Sequence, residues 1–224
     1  MVLTSLGAEP GELTAERVAC RRGDRPIFSE LSCAVPAGCA LVLTGANGSG
    51  KSSLLRLLAT LLAPAAGRLL WDGRQVTNDV ASYRSRLHYL GHLDGIKPAL
   101  SVRETLEYGA QVRGAESPQI DRALAAFALE RLADWPCRWL SAGQRRRLAL
   151  ARLIASPAPL WLLDEPTSAL DSDGEQRLLA AIAAQRDSGG GVVVATHQPL
   201  PLAGAEFLAL EDFASAPDDP LTDF

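Results

Sequence analysis

Residues 45–52 read Gly45-Ala46-Asn47-Gly48-Ser49-Gly50-Lys51-Ser52 and match G-x-x-x-x-G-K-[ST] at every specified position. The flanks carry the reading outward. Before the segment, Ala40-Leu41-Val42-Leu43 is apolar without alternation, as in a strand buried on both faces, and Cys39–Thr44 is the strand expected. After it, leucines at 54, 55, 57, 58, 61 and 62 recur at helical spacing. Ser52–Leu62 is therefore expected to be a helix, stopped by Pro64. Strand, glycine-rich turn and helix in this order aim backbone N–H groups and a helix N-terminus at phosphate oxygens. An ordinary glycine-rich turn has no need of all three. Lys51 is expected to reach β- and γ-phosphates and the Ser52 hydroxyl to ligate Mg²⁺, with the binding stretch running on through Ser53. The chain has 20 Arg but only two Lys, Lys51 and Lys97. That it places lysine here suits a compact point charge, a role a guanidinium fork does not fill.

Composition bounds the rest. With 224 residues, 47% apolar and 21% charged, the chain suits one α/β domain that buries roughly 70% of its unfolded surface without disulfides or a structural metal. A net charge of −4 argues against gripping nucleic acid by bulk electrostatics. Cys20, Cys33, Cys39 and Cys137 form no C-x-x-C pair, so reduced, mostly buried thiols are expected. Met1–Gly11 lacks a basic start followed by an apolar run, so no export signal is expected. The apolar region Leu54–Leu70 is broken by Arg56, Pro64 and Arg68 and cannot span a bilayer. A cytosolic protein, or one held at a membrane by a partner, is the expectation.

Strands are expected at Glu16–Cys20, Leu31–Val35 and Leu69–Trp71, with turns at Arg22-Gly23-Asp24, Pro36-Ala37-Gly38 and Asp72-Gly73. From about 94 to 155 the pattern turns helical, with helices expected over Arg103–Arg113, Ile120–Leu132 and Ala142–Ala155. Strands return at Leu160–Leu163 and Gly191–Ala195. A helical insertion between strand-rich stretches predicts a two-lobed domain. Residues 211–224 hold five acids, two prolines and no base, and are expected to form a flexible, non-catalytic tail.

Pro159-Leu160-Trp161-Leu162-Leu163-Asp164-Glu165 reads as an apolar strand ending in two carboxylates. Neighbouring strand residues point to opposite sides, so the two acids face different tasks. Beside a phosphate loop, Asp164 is the expected Mg²⁺ partner, through water, and Glu165 is placed to polarise an attacking water. Leu140-Ser141-Ala142-Gly143-Gln144 opens a good helix former, with Ser141 as its N-cap. The following Arg145-Arg146-Arg147 reads as a solvated face.

Taken together, these segments resemble the ABC-type ATPases, the nucleotide-binding subunits of ABC transporters. The matching segments are the phosphate loop, the Leu140–Gln144 signature, the Asp164-Glu165 strand end, His197 after the strand ending at Ala195, and Ser168-Ala169-Leu170-Asp171, similar to the family's dimer-contact loop. The resemblance implies an α/β P-loop NTPase fold of ABC type. Its core sheet would be mixed, with an N-terminal antiparallel β part, a helical subdomain at about 94–155, and one domain over residues 1–210. It also implies ATP hydrolysis with Mg²⁺ by a head-to-tail dimer of two copies. Each ATP would then be held by one phosphate loop and capped by the other copy's signature, Ser141, Ala142, Gly143 and Gln144. Asp171 would sit at the dimer contact, and His197 would touch the γ-phosphate. His88 and His92 match nothing in the pattern and read as structural.

Three positions depart from the family pattern. Ala142 stands where a first signature glycine is usual, Arg22 where an adenine-stacking aromatic is expected, and Leu93 at a lid glutamine that helps hold Mg²⁺. Arg22 either stacks through its guanidinium plane or is an ordinary turn arginine. Leucine cannot ligate a metal; either Asp94 compensates through water or ATP-driven closure is signalled differently here.

A finer likeness rests on Tyr89-Leu90-Gly91-His92, Gly95-Ile96-Lys97-Pro98 and Thr196-His197-Gln198-Pro199-Leu200. These are similar to the ATP-binding subunits of bacterial cytochrome c maturation, the heme exporter ATPases. That implies an integral membrane permease partner at the cytoplasmic face of the bacterial inner membrane. It also implies hydrolysis that helps deliver or release heme through a heme chaperone, this chain being the motor and not the heme carrier. The alternatives are the ATPase of another small ABC transporter, or a soluble ABC ATPase acting on nucleic acid. The latter usually carries two cassettes or long insertions. A P-loop small-molecule kinase would need neither Leu140–Gln144 nor Asp171.

Overall fold

The computed structural model describes residues 11–23, 25–115, 118–198 and 200–214. The first part is β-rich: β1 (Leu13–Arg22), β2 (Arg25–Val35), β3 (Ala40–Thr44), α1 (Lys51–Leu58), β4 (Ala66–Trp71) and β5 (Arg74–Gln75). Next come α2 (Val80–Ser85), β6 (Leu87–Leu90), α3 (Val102–Val112), α4 (Ile120–Ala126) and α5 (Ala142–Ala155). The chain then alternates through β7 (Leu160–Asp164), α6 (Ser172–Asp187), β8 (Gly191–Ala195) and β9 (Glu206–Ala209). Among the described residues these make an antiparallel sheet in the order β2-β1-β4-β5 and a parallel sheet in the order β6-β7-β8-β3-β9.

The parallel sheet is a wall between two cores, and the alternation of its strands decides which side chain serves which. Val42, Trp161, Leu163, Val192 and Val194 face the helical side, where Phe127, Leu148 and Ile182 pack. Leu41, Leu43, Leu160, Leu162 and Val193 face α1 and the antiparallel sheet, meeting Leu54, Leu58, Leu31 and Phe28. With both faces covered, these strands have no polar side to display, which is why their sequences do not alternate. The helices α3, α4 and α5 pack on one another.

Several boundaries differ from expectation for local reasons. The helix expected over Ile120–Leu132 ends at Ala126, because Ala128 takes a left-handed φ of 52° and Leu129 N–H closes the end on Leu124 O at 2.9 Å. The break buries both Phe127 and Leu129 completely, which a continuous helix could not do. The helix expected to reach Leu62 stops at Leu58; Thr60 turns left-handed and Leu61 lies exposed. The N-terminal strands run longer than expected, from Leu13 and from Arg25. Helices α2 and α6 and strands β5, β6 and β9 lie outside the expected elements. Residues 211–214, expected within the flexible tail, are tied to the fold. A short 3-10 turn, Leu210–Phe213, buries Leu210 fully, and Ala214 bridges to Phe28. The remainder of that tail, residues 215–224, lies outside the described residues, as do 1–10, Asp24 and Pro199.

His88 on β6 is structural, as expected. Its Nε2–H donates to Ser156 O at 2.6 Å, and burial, with Arg113 nearby, pushes its pKa down to about 3. An unfolded chain takes up a proton at this imidazole below about pH 6.5, whereas the folded chain resists until about 3. Stability should therefore fall as pH drops through that window and be indifferent to His88 above it. Thermal melts between pH 7.5 and 5 should show the decline, and His88→Gln should flatten it. An equal slope in that variant would remove His88 as the cause.

Candidate functional site

Strands β7, β8 and β3 are neighbours and point the same way, so whatever follows them gathers at one edge. The phosphate loop follows β3, Asp164 closes β7, and His197 lies two residues past β8. Gly50 ends the loop at φ 106°, and a Cβ there would lie 2.6 Å from Ile27 Cγ2, so glycine is required by both torsion and space. Lys51 is buried and its ammonium donates to Gly45 O at 2.6 Å and Ala46 O at 3.0 Å, inside the loop's own turn.

Ser52 Oγ donates to Asp164 Oδ1 at 2.9 Å. Asp164 is 2% exposed, and its other oxygen, Oδ2, is buried without a hydrogen-bond partner. A buried, half-satisfied carboxylate is costly, and a divalent cation shared with the Ser52 hydroxyl would satisfy it. Oxygen donors suit Mg²⁺, so the residues fit the ion. Ser49 Oγ is likewise buried and unpartnered in the phosphate loop.

Glu165 adopts φ 46°, a left-handed setting that costs a non-glycine residue about 1–3 kcal/mol. The surroundings hold it there. Its N–H donates to Ala195 O at 2.9 Å, and its carbonyl accepts from Ser168 N–H at 3.1 Å and from Arg146 Nη2 at 2.7 Å. There the Glu165 carboxylate meets His197, whose Nδ1–H donates to Glu165 Oε2 at 2.9 Å.

The signature segment opens α5 as a complete capping box. Ser141 Oγ accepts from Gln144 N–H at 3.2 Å, and Gln144 Oε1 accepts from Ser141 N–H at 2.9 Å. Ser141 and Ala142 are exposed, and a Cβ at Gly143 would lie 2.9 Å from Ala169 O, so glycine lets α5 approach the 168–171 loop. Asp171 caps α6 by accepting from Gly174 N–H at 2.9 Å and pairs with Arg147. That guanidinium, with the Gly174 N–H second, holds the Asp171 carboxyl below the usual carboxylate range. Arg22 is exposed at the end of β1, and Leu93 is 83% exposed.

One expectation needs correction. Arg145-Arg146-Arg147 is not a solvated face. Arg145 donates to Leu140 O at 2.6 Å, Arg147 pairs with Asp171 and Asp173, and Arg146 is 3% exposed, bonded to the acid strand end and to Asp94. Asp94, offered as a metal partner through water, thus has Arg146 as its direct partner at 3.1 Å. Glu211 was also missed: its Oε1 accepts from Ala46 N–H at 2.9 Å, bracing the phosphate loop from the chain's far end. Nothing in the residue pattern around Glu211 signals that contact.

The family model for the ABC transporter matches residues 28–168. The chain is 56% identical to the cytochrome c biogenesis ATP-binding export protein CcmA of Rhodospirillum rubrum, over 93% of this chain and 89% of that one. The protein of the same name from Paramagnetospirillum magneticum is 48% identical, over 92% and 97%. Among solved structures, a putative ABC transporter ATP-binding protein from Pyrococcus furiosus shares the fold with a TM-score of 0.78 at 22% identity, covering 91% of this chain and 100% of that one. A bacterial Atm1-family ABC exporter with ATP bound superposes with a TM-score of 0.77 at 26% identity, over 93% of this chain and 38% of that one.

Proposed function

The chain belongs to the ABC transporter family and is an ATPase of it, and on that premise we propose that its hydrolysis drives a membrane export complex serving cytochrome c maturation. The observation that carries the hydrolytic part is the Glu165–His197 contact of 2.9 Å at the strand edge that also holds the phosphate loop. The maturation role is supported by relatives 56% and 48% identical that are named for cytochrome c biogenesis export.

Residues Gly45 through Ser53 bind the ATP phosphates, Lys51 neutralising charge on the β- and γ-groups. Ser52 and Asp164 would hold Mg²⁺, which when bound offsets charge on the phosphate oxygens. Glu165 orients a water and takes its proton as the water oxygen bonds to the γ-phosphorus. The bond from that phosphorus to the bridging oxygen breaks, leaving ADP and phosphate. His197 steadies the carboxylate through Nδ1, and in its charged form donates from Nε2 to a γ-phosphate oxygen. Arg22 stacks on adenine.

Two copies act head to tail, the exposed Ser141 and Ala142 with Gly143 and Gln144 of one capping the ATP of the other, and Asp171 sits beside that contact. The pair docks as a peripheral subunit on an integral permease at the cytoplasmic face of the bacterial inner membrane. A heme chaperone receives the result indirectly, and nucleic acid is no partner. Among the described residues no helix is long and apolar enough to cross a membrane, consistent with a need for the permease.

Cells dependent on this chain, when supplied with the Glu165→Gln form, should lose heme-stained c-type cytochromes while retaining the chain in a membrane-protein complex. Normal cytochromes would contradict the maturation role. Retention on ribosomes or DNA in place of a membrane protein would favour the nucleic-acid alternative. Leu93→Gln should leave hydrolysis intact or raised, because an exposed side chain is replaced without a cavity. A severe loss in a steady-state phosphate-release assay would contradict this.

A further inference from the structure

Arg146 gathers three segments on one buried group. From α5, five residues after Ser141, its Nε donates to Pro166 O at 3.2 Å and its Nη2 to Asp164 O at 2.9 Å and Glu165 O at 2.7 Å. Its Nη1 donates to Gly91 O at 3.2 Å and Asp94 Oδ1 at 3.1 Å. A guanidinium has five N–H donors in a fixed fork, and here all five acceptors lie on two loops, the acid turn and the lid loop containing Leu93. One acceptor, Asp94, carries charge. A guanidinium 3% exposed needs that charge, because burying it unpaired is costly. One residue beyond Asp94, Arg152 Nη1 donates to Gly95 O at 3.3 Å, so two arginines of α5 hold the lid loop.

We propose that Arg146 is a positioning residue that sets Glu165 according to where the lid loop Gly91–Asp94 lies. The fork is planar and rigid, so it cannot follow the lid without shifting against the Glu165 carbonyl. That carbonyl belongs to a residue held at φ 46°, and Arg146 is one of its two donors. A displaced lid, through Asp94, therefore releases the peptide that aims the hydrolytic carboxylate. Leu93 cannot report closure by ligating metal, whereas Asp94 and Arg146 carry the signal through protein alone. The exposed His92 and Leu93 leave the loop open to a partner that would press on it. The inference rests on Glu165 being the hydrolytic carboxylate.

The test uses the full chain in its detergent-solubilised membrane complex, comparing Asp94→Ala, Arg146→Lys, Arg146→Met and the Asp94→Ala/Arg146→Met double variant. Steady-state kcat and KM for ATP are read beside thermal melts. Asp94→Ala should lower kcat about tenfold or more, since small misplacements of catalytic groups have effects of that order, with KM unchanged. Arg146→Lys should fall between wild type and Arg146→Met. The double variant should be no slower than Arg146→Met alone, as for two residues on one path. Wild-type kcat in Asp94→Ala, a loss confined to KM, or fully additive losses would overturn the proposal. If Arg146→Met does not fold, the kcat of Asp94→Ala decides alone. Wild-type turnover in Glu165→Gln would instead overturn the reading of Glu165.

Discussion

Glu165→Gln should bind ATP as the wild type does and turn it over ~10²–10⁴-fold more slowly, the usual effect of losing a general base. The amide is the right size for the turn and still accepts the His197 Nδ1–H that Glu165 Oε2 receives at 2.9 Å. Its backbone, like that of Glu165, can be held left-handed by Ala195, Ser168 and Arg146. What it lacks is an oxygen able to take up a proton from water. Fluorescent-nucleotide binding and single-turnover hydrolysis separate the two effects. Turnover at the wild-type rate would remove Glu165 from the chemistry, whatever its geometry.

Lys51→Ala should weaken ATP binding about 10- to 100-fold, the loss expected for one charge-assisted hydrogen-bond partner worth roughly 1.5–3 kcal/mol. The ammonium's contacts with Gly45 O and Ala46 O hold it inside the loop, where no other lysine is near in sequence. Calorimetric titration with ATP, checked by a thermal melt for intact folding, measures the change. Unchanged affinity in a folded variant would contradict the assignment of this segment as the phosphate loop.

The phosphate loop was legible because its chemistry demands a fixed order of strand, glycines and helix, and that order leaves a contiguous pattern. Helix α5 was equally legible, ending where expected at Ala155, since Ser141 and Gln144 mark its start as a capping box. Asp171 caps α6 in the same fashion, Asp173 and Glu175 sit in its first turn, and Gly189 and Gly190 follow it. Those signals mark α6 in the sequence as plainly as Ser141 and Gln144 mark α5. The break at Ala128 was not legible, because alanine seldom takes a left-handed φ and the gain is burial of Phe127 and Leu129 by distant residues. Edge strand β9, with Phe207 exposed, has too little burial to impose a pattern. The ties made by Arg146 and Glu211 run largely to backbone groups, and a carbonyl or amide has no identity in sequence.

On the proposed head-to-tail arrangement, a working site takes residues from two copies of this chain. The most direct measurement is light scattering on the Glu165→Gln form, saturated with magnesium and ATP and assembled with its membrane partner. The expected mass contains two copies, with two nucleotides bound per assembly. One copy, with its nucleotide fully bound, would contradict it.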